Sequence, residues 1–197
     1  SGTSAGPTIE LKPEGVPDGM TVRFAWSPDS DGGSSVSDKN TGGSSGIADS
    51  GWDLTLEASS EVTGVDGLTL YAGMSQVDQY TNAANVSGNR DETVFGFKYA
   101  MGGFTVGYQI TDEDTGVTAS SNYENTSYGI TFNVNDDLSI GFNHTESSES
   151  GQSNPDAEAD SIQAAYTYGG ATISISEVDV ENGGYTDAND KSGTVIH

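Results

Sequence analysis

From residue 20 to residue 176 apolar and polar side chains alternate in short runs, the signature of extended strands whose two faces meet different surroundings. Met20, Val22, Phe24 and Trp26 share one face, and Thr21, Arg23 and Ala25 the other. Trp52, Leu54, Leu56 and Ala58 oppose Asp53, Thr55 and Glu57; Leu68, Leu70, Ala72 and Met74 oppose Thr69, Tyr71 and Gly73. Phe95, Phe97, Tyr99 and Met101 oppose Gly96, Lys98 and Ala100, and Phe104, Val106, Tyr108 and Ile110 oppose Thr105, Gly107 and Gln109. The alternation recurs around Ile130, Ile140, Ile162 and Ile173, with a weaker start at Ile9 and Leu11 and a last one at Thr194. It predicts an all-β chain of about ten or eleven strands, forming a single domain over 1–197.

The connections alternate in length. Short turns are expected at 14–19, 63–67, 102–103, 135–137 and 169–170, where Gly, Asn and Asp supply tight-hairpin chemistry. Long polar segments lie between them at 28–51, 78–92, 112–125, 146–160 and 179–192. One rim of the sheet is therefore all tight turns and the other all long acidic loops, the arrangement of transmembrane antiparallel up-and-down β-barrels. A soluble sandwich has no reason to sort its loops so, and no fixed-length repeat marks a propeller or solenoid.

The faces carry the chemistry. One is aromatic and aliphatic, suited to lipid; its Trp26 and Trp52 flank a long loop, while Tyr99, Phe104 and Tyr168 sit beside short turns, as paired lipid-interface girdles would. The other face is Thr, Ser, Gly, Gln and Asn, which cannot pack a core but can line water, and only barrels wider than about eight strands leave an aqueous lumen. By parity Glu10, Lys12, Arg23, Asp53, Glu57, Tyr71, Lys98 and Gln109 point inward. Arg23 and Lys98 are expected on the basic side of a constriction, opposed by the acids across a transverse field.

Composition changes the picture little. With 30 acidic residues against 6 basic ones and only 32% apolar residues, the chain would by content alone lean towards disorder, and the alternation overrules that. The net charge of −24 argues against nucleic acid as a partner. Without cysteine neither a disulfide framework nor a thiolate metal site forms, and two histidines make a histidine metal or catalytic cluster untenable. No apolar run reaches the roughly 20 residues of a membrane helix, and the first residues lack a signal peptide's charged and apolar regions. The acidic runs 29–33, 112–114 and 187–190 lack EF-hand spacing; solvated loop is the plainer reading, with calcium bridging to lipopolysaccharide phosphates left open. No nucleophile elbow appears, and His144, with no evident partner, belongs at the boundary of membrane and loop, so no enzyme and no cofactor are expected.

The segments TVFGFKYAMGGFTVGYQ, TSYGITFNVNDDLSIGFN and SIQAAYTYGGATISISE resemble hairpins of general diffusion porins of the bacterial outer membrane, notably the alphaproteobacterial type. The likeness runs along nearly the whole chain and lies in hairpin texture rather than in a signature. It implies a 16-stranded barrel, usually a homotrimer among lipid and lipopolysaccharide, passing ions and small hydrophilic solutes by diffusion in a Gram-negative bacterium. PTIELKPEG and GMTVRFAWSPD resemble the sixth and seventh strands, and TVIH the start of the sixteenth. The chain is thus expected to be the C-terminal two-thirds of a porin, lacking the constriction loop that supplies the family's acidic half-eyelet. The alternative is an acidic calcium- or ligand-binding surface or adhesion protein, as a small barrel or sandwich.

Overall fold

A computed structural model describes residues 8–28, 48–79, 88–117, 122–150 and 153–196. After β1 (Ile9–Leu11) and β2 (Met20–Ser27) come β3 (Ala48–Ala58), the one-turn helix α1 (Ser60–Thr63) and β4 (Leu68–Gln79). Three pairs follow: β5 (Arg90–Met101) with β6 (Phe104–Asp114), β7 (Asn122–Asn133) with β8 (Leu138–Ser150), and β9 (Ala157–Tyr168) with β10 (Ala171–Glu181). The last strand is β11 (Lys191–Ile196). Each strand pairs antiparallel with the next in one up-and-down sheet whose edges are β1 and β11.

The faces and the sorting of turns follow the alternation, but the strands run further than it does. β6 continues through Asp114, β8 through Ser150 and β10 through Glu181, inside segments expected to be loops. Alternation stops where both faces meet water, whereas the backbone ladder needs only a neighbouring strand. The turn expected at 63–67 is longer and contains α1. It closes on Gly67, whose φ of 76° and carbonyl bond from Ala100 N at 2.9 Å exclude a side chain: a Cβ would sit on the Ala100 carbonyl oxygen.

The register is staggered. One row of partners starts at Met20, beside a short turn, and passes through Ala58, Leu70, Phe97, Tyr108, Tyr128, His144 and Asp160 to Asp179, near the long-loop end of β10. The row has climbed eight residues from Ala171, the turn-side end of β10, while crossing eight strands. With about 3.3 Å per residue and about 4.8 Å between strands, that offset corresponds to strands tilted by roughly 35°. Tilt and stagger of this size belong to the wall of a barrel.

The sheet has no packed core. Among the described residues Val77 is the one buried hydrophobic, and no side chain is fully buried. Phe95, Ile130, Ile140, Ile162 and Ile173 are all exposed on one face. Each such side chain left in water forgoes about 1.5–3 kcal/mol, against a typical net stability of about 5–15 kcal/mol. A contiguous apolar face of this extent marks a surface that meets an apolar medium or another apolar surface.

Candidate functional site: the polar face and its loop-side rim

Cross-strand partners point to the same side of a sheet, so the register fixes which side chains share a face. The face opposite the apolar band carries Thr69, Gly96, Gly107, Gly129, Thr131, Gly141 and Gln163. Its hydroxyls and amides bond to one another rather than to apolar neighbours: Ser127 with Thr145 at 3.0 Å, and Asn125 donating to Thr111 at 3.0 Å. Tyr71 lies flat across β5 and donates its hydroxyl to Gln109 at 3.1 Å, bridging β4 and β6. Gly96 makes this possible, because a Cβ there would lie 2.5 Å from the Tyr71 ring and 2.6 Å from the Tyr108 carbonyl oxygen. Gly96→Ala is therefore expected to cost about 1–3 kcal/mol by overpacking, read as a lower temperature for the heat-induced gel shift. Adding Tyr71→Ala should restore part of the loss, leaving only the clash with Tyr108.

The eight inward candidates fall into groups. Glu10, Arg23, Asp53, Glu57, Tyr71, Lys98 and Gln109 all have parity with this face, while Lys12 follows the end of β1. Arg23 and Lys98 each stand three residues from the turn-side end of their strands, so the stagger sets them at equal depth, three strands apart. The row from Arg23 runs through Thr55 and Gly73 to Val94, four residues from Lys98, so the two cations lie about 20 Å apart along the wall. The acids are not set across from Arg23. Ala25 pairs with both Glu10 and Asp53, and Thr21 with Glu57. All three carboxylates are therefore diagonal neighbours of Arg23, at about 7–8 Å. Lys98 pairs with the uncharged Thr69 and Gly107.

The five aromatic candidates lie on the opposite, apolar-bearing face. Trp26 pairs directly with Trp52, whose ring stacks on Phe24 at 6.4 Å. Phe104 stacks on Phe132 at 4.3 Å, Tyr99 pairs with Leu68 and Val106, and Tyr168 stands beside the turn at 169–170.

Above the band the same outer face turns acidic, which the alternation does not reveal. The register sets Asp91 against Asp114, Asp112 against Glu124, Glu146 against Glu158, and Asp160 against Asp179. Like charges directly opposite destabilise a sheet, so this collar favours surroundings rich in cations. The run 112–114 does not form the loop cluster it suggests: it lies on β6, where Asp112 and Asp114 face one way and Glu113 the other. No group of three or more carboxylate or imidazole side chains converges among the described residues, and 29–33 lies outside them. His144 does have a partner. Its Nδ1 meets the Asp160 carboxylate at 2.8 Å and its ring lies 4.9 Å from that of Tyr128, which anchors it one step above Phe142.

On the polar side of this rim Arg90 binds Glu113 at 2.5 Å and Glu92 at 3.4 Å. Beyond the band, burial pushes the Glu113 carboxyl above its usual range; Arg90 opposes that and Glu92 adds to it. Next to it Tyr123 is raised by burial and by Glu149 and Tyr185. Position in sequence gave no sign of this cluster, since Arg90 and Glu113 meet only through register.

Comparison with known proteins agrees with this geometry. No curated protein is a significant match. Among solved structures, OmpF of Salmonella typhi, in complex with daunomycin, superposes with a TM-score of 0.69 at 13% identity, over 98% of this chain and 61% of that one. OmpT of Vibrio cholerae, expressed in the outer membrane, gives 0.60 at 12% identity, over 96% and 62% respectively. A porin refined at 1.8 Å resolution gives 0.60 at 11%, over 96% and 60%. The chain thus spans about three-fifths of the length of these structures, and they share its fold. The family model described as Gram-negative porin matches residues 14–189. An unpartnered apolar face, a polar reverse and turns sorted to one rim are thus the features of a chain that belongs to the Gram-negative porins of the bacterial outer membrane.

Proposed function

We propose that this chain forms wall of a water-filled pore through which ions and small hydrophilic solutes diffuse passively. The observation that carries the reading is a single staggered sheet with its Phe and Trp side chains on one face and a reverse dominated by Gly, Ser, Thr, Asn and Gln. Glu10, Arg23, Asp53, Glu57, Tyr71, Lys98 and Gln109 line the lumen in this reading, with Lys12 near its edge, and Trp26, Trp52, Tyr99, Phe104 and Tyr168 meet the lipid interfaces. Solute choice then follows from lumen width and lining charge. No catalysis is assigned, in keeping with the place of the His144–Asp160 pair on the outer face, away from the lumen. The acidic collar meets the lipopolysaccharide headgroups, where divalent cations offset its charge, and assembly is as a homotrimer, as the porin resemblance implies.

The test is reconstitution of the full protein into planar bilayers. Stepwise current increments linear in voltage are expected; incorporation into the bilayer with no conductance overturns the reading.

A further inference from the structure

We propose that the loop 182–190 between β10 and β11 is folded into the lumen and that Tyr185, its anchor, sets the size limit of the pore mouth. This rests on the channel reading above, because it takes the polar face to be the lumen.

The loop does not stand away from the wall. The Tyr185 hydroxyl lies 2.7 Å from Ser147 Oγ, and its ring centroid is 5.6 Å from that of Tyr123. Ser147 and Tyr123 belong to β8 and β7 and share the polar face: Ser147 pairs with Asn125, and Tyr123 with Glu113. To reach them from β10 the loop must cross β9 on that face, and there β9 presents the small side chains of Ala157 and Ala159. The anchor continues into the wall, for Ser147 donates to Asn125 at 2.5 Å and Asn125 to Thr111 on β6 at 3.0 Å.

The loop is also built to hold this shape. Asn182 Nδ2 donates to the Asp156 carbonyl at 3.0 Å, tying the loop's start to the segment before β9. Asn182 N donates to the Asp190 carboxylate at 3.0 Å, and Gly183 N to the Asn189 carbonyl at 2.9 Å, closing the loop's base. Asn182, Tyr185 and Ala188 have φ of 50°, 56° and 57°, a left-handed region that strains a tyrosine. Strain of that kind persists only where surrounding contacts over-determine it, and at Tyr185 these are the Ser147 and Tyr123 contacts. A tyrosine free to face solvent has no reason to hold it.

The consequence is a narrowing at the mouth made by this chain alone, across the part of the wall formed by β7 to β9. Freed of its anchor, the loop would swing off the wall.

The experiment compares single channels of the full protein in planar bilayers. Tyr185→Ala is expected to raise conductance roughly 1.5-fold and to admit larger polyethylene glycols as neutral size probes. Tyr185→Phe, which keeps the ring and loses the hydroxyl, should raise open-channel noise with a smaller change in conductance. The second arm survives a folding failure of the first: the chain has no cysteine, so Asp187→Cys offers a single thiol on the loop. A bulky thiol reagent should lower the conductance of that variant and leave the unsubstituted protein unchanged. Unchanged conductance and size limit in Tyr185→Ala, or unchanged conductance after labelling Asp187→Cys, overturns the inference while leaving the channel standing. Absence of any channel in the unsubstituted protein instead removes the reading beneath it.

Discussion

Ile130→Arg is expected to destabilise the inserted barrel by about 2–4 kcal/mol, whereas Thr131→Arg, one residue along the same strand, is expected to leave its stability nearly unchanged. Ile130 sits mid-band with Val106 and Phe142 as its cross-strand partners, and it is 42% exposed among the described residues. If lipid covers it, an arginine there costs about 2–4 kcal/mol at the midplane. That is a large share of a net stability of about 5–15 kcal/mol. Thr131 pairs with Thr105 and Gly141 on the polar face, where a guanidinium would extend over bare backbone into water. The measurement is the temperature of the heat-induced gel shift after refolding into lipid vesicles. Equal stability of both variants, or a loss in Thr131→Arg alone, would contradict the assignment of faces. A soluble sandwich gives the same first result, but it dissolves without detergent, and the refolding assay distinguishes the two directly.

The assignment of faces was legible in the sequence because period-two alternation encodes it directly: Phe95, Phe97 and Tyr99 cannot share a side with Gly96 and Lys98 in any extended chain. The sorting of turns was legible for a similar reason, since Gly102, Gly103, Gly169 and Gly170 mark two-residue hairpins wherever they occur. Strand ends were not, because Asp112, Glu113 and Asp114 look like a loop to any reading based on polarity, although β6 runs through them. Register was not legible either. It places Glu10, Asp53 and Glu57 around Arg23, gives His144 its Asp160 and joins Arg90 to Glu113, pairings that no local pattern states. Tyr185 left one faint trace, as the sole aromatic residue between Val180 and Lys191.

Those diagonal carboxylates make the two inward cations unequal, and charge reversal is expected to show it. A unit charge acting on a permeant ion about 7 Å away through water is worth about 0.6 kcal/mol, close to the thermal energy. Reversing one cation doubles that change, so Lys98→Glu should raise the cation-to-anion permeability ratio by roughly 3- to 7-fold in dilute salt. Arg23→Glu should do less, because a fourth carboxylate among Glu10, Asp53 and Glu57 gathers counter-cations that neutralise part of the new charge. Both effects should shrink in 1 M salt, where screening reaches about 3 Å. Reversal potentials across a potassium chloride gradient measure the ratio. Identical potentials for the unsubstituted protein, both single variants and the double variant would show that these side chains do not face the permeation path. A larger effect at Arg23 would show instead that its carboxylate neighbours turn away from it and act on the permeant ions themselves.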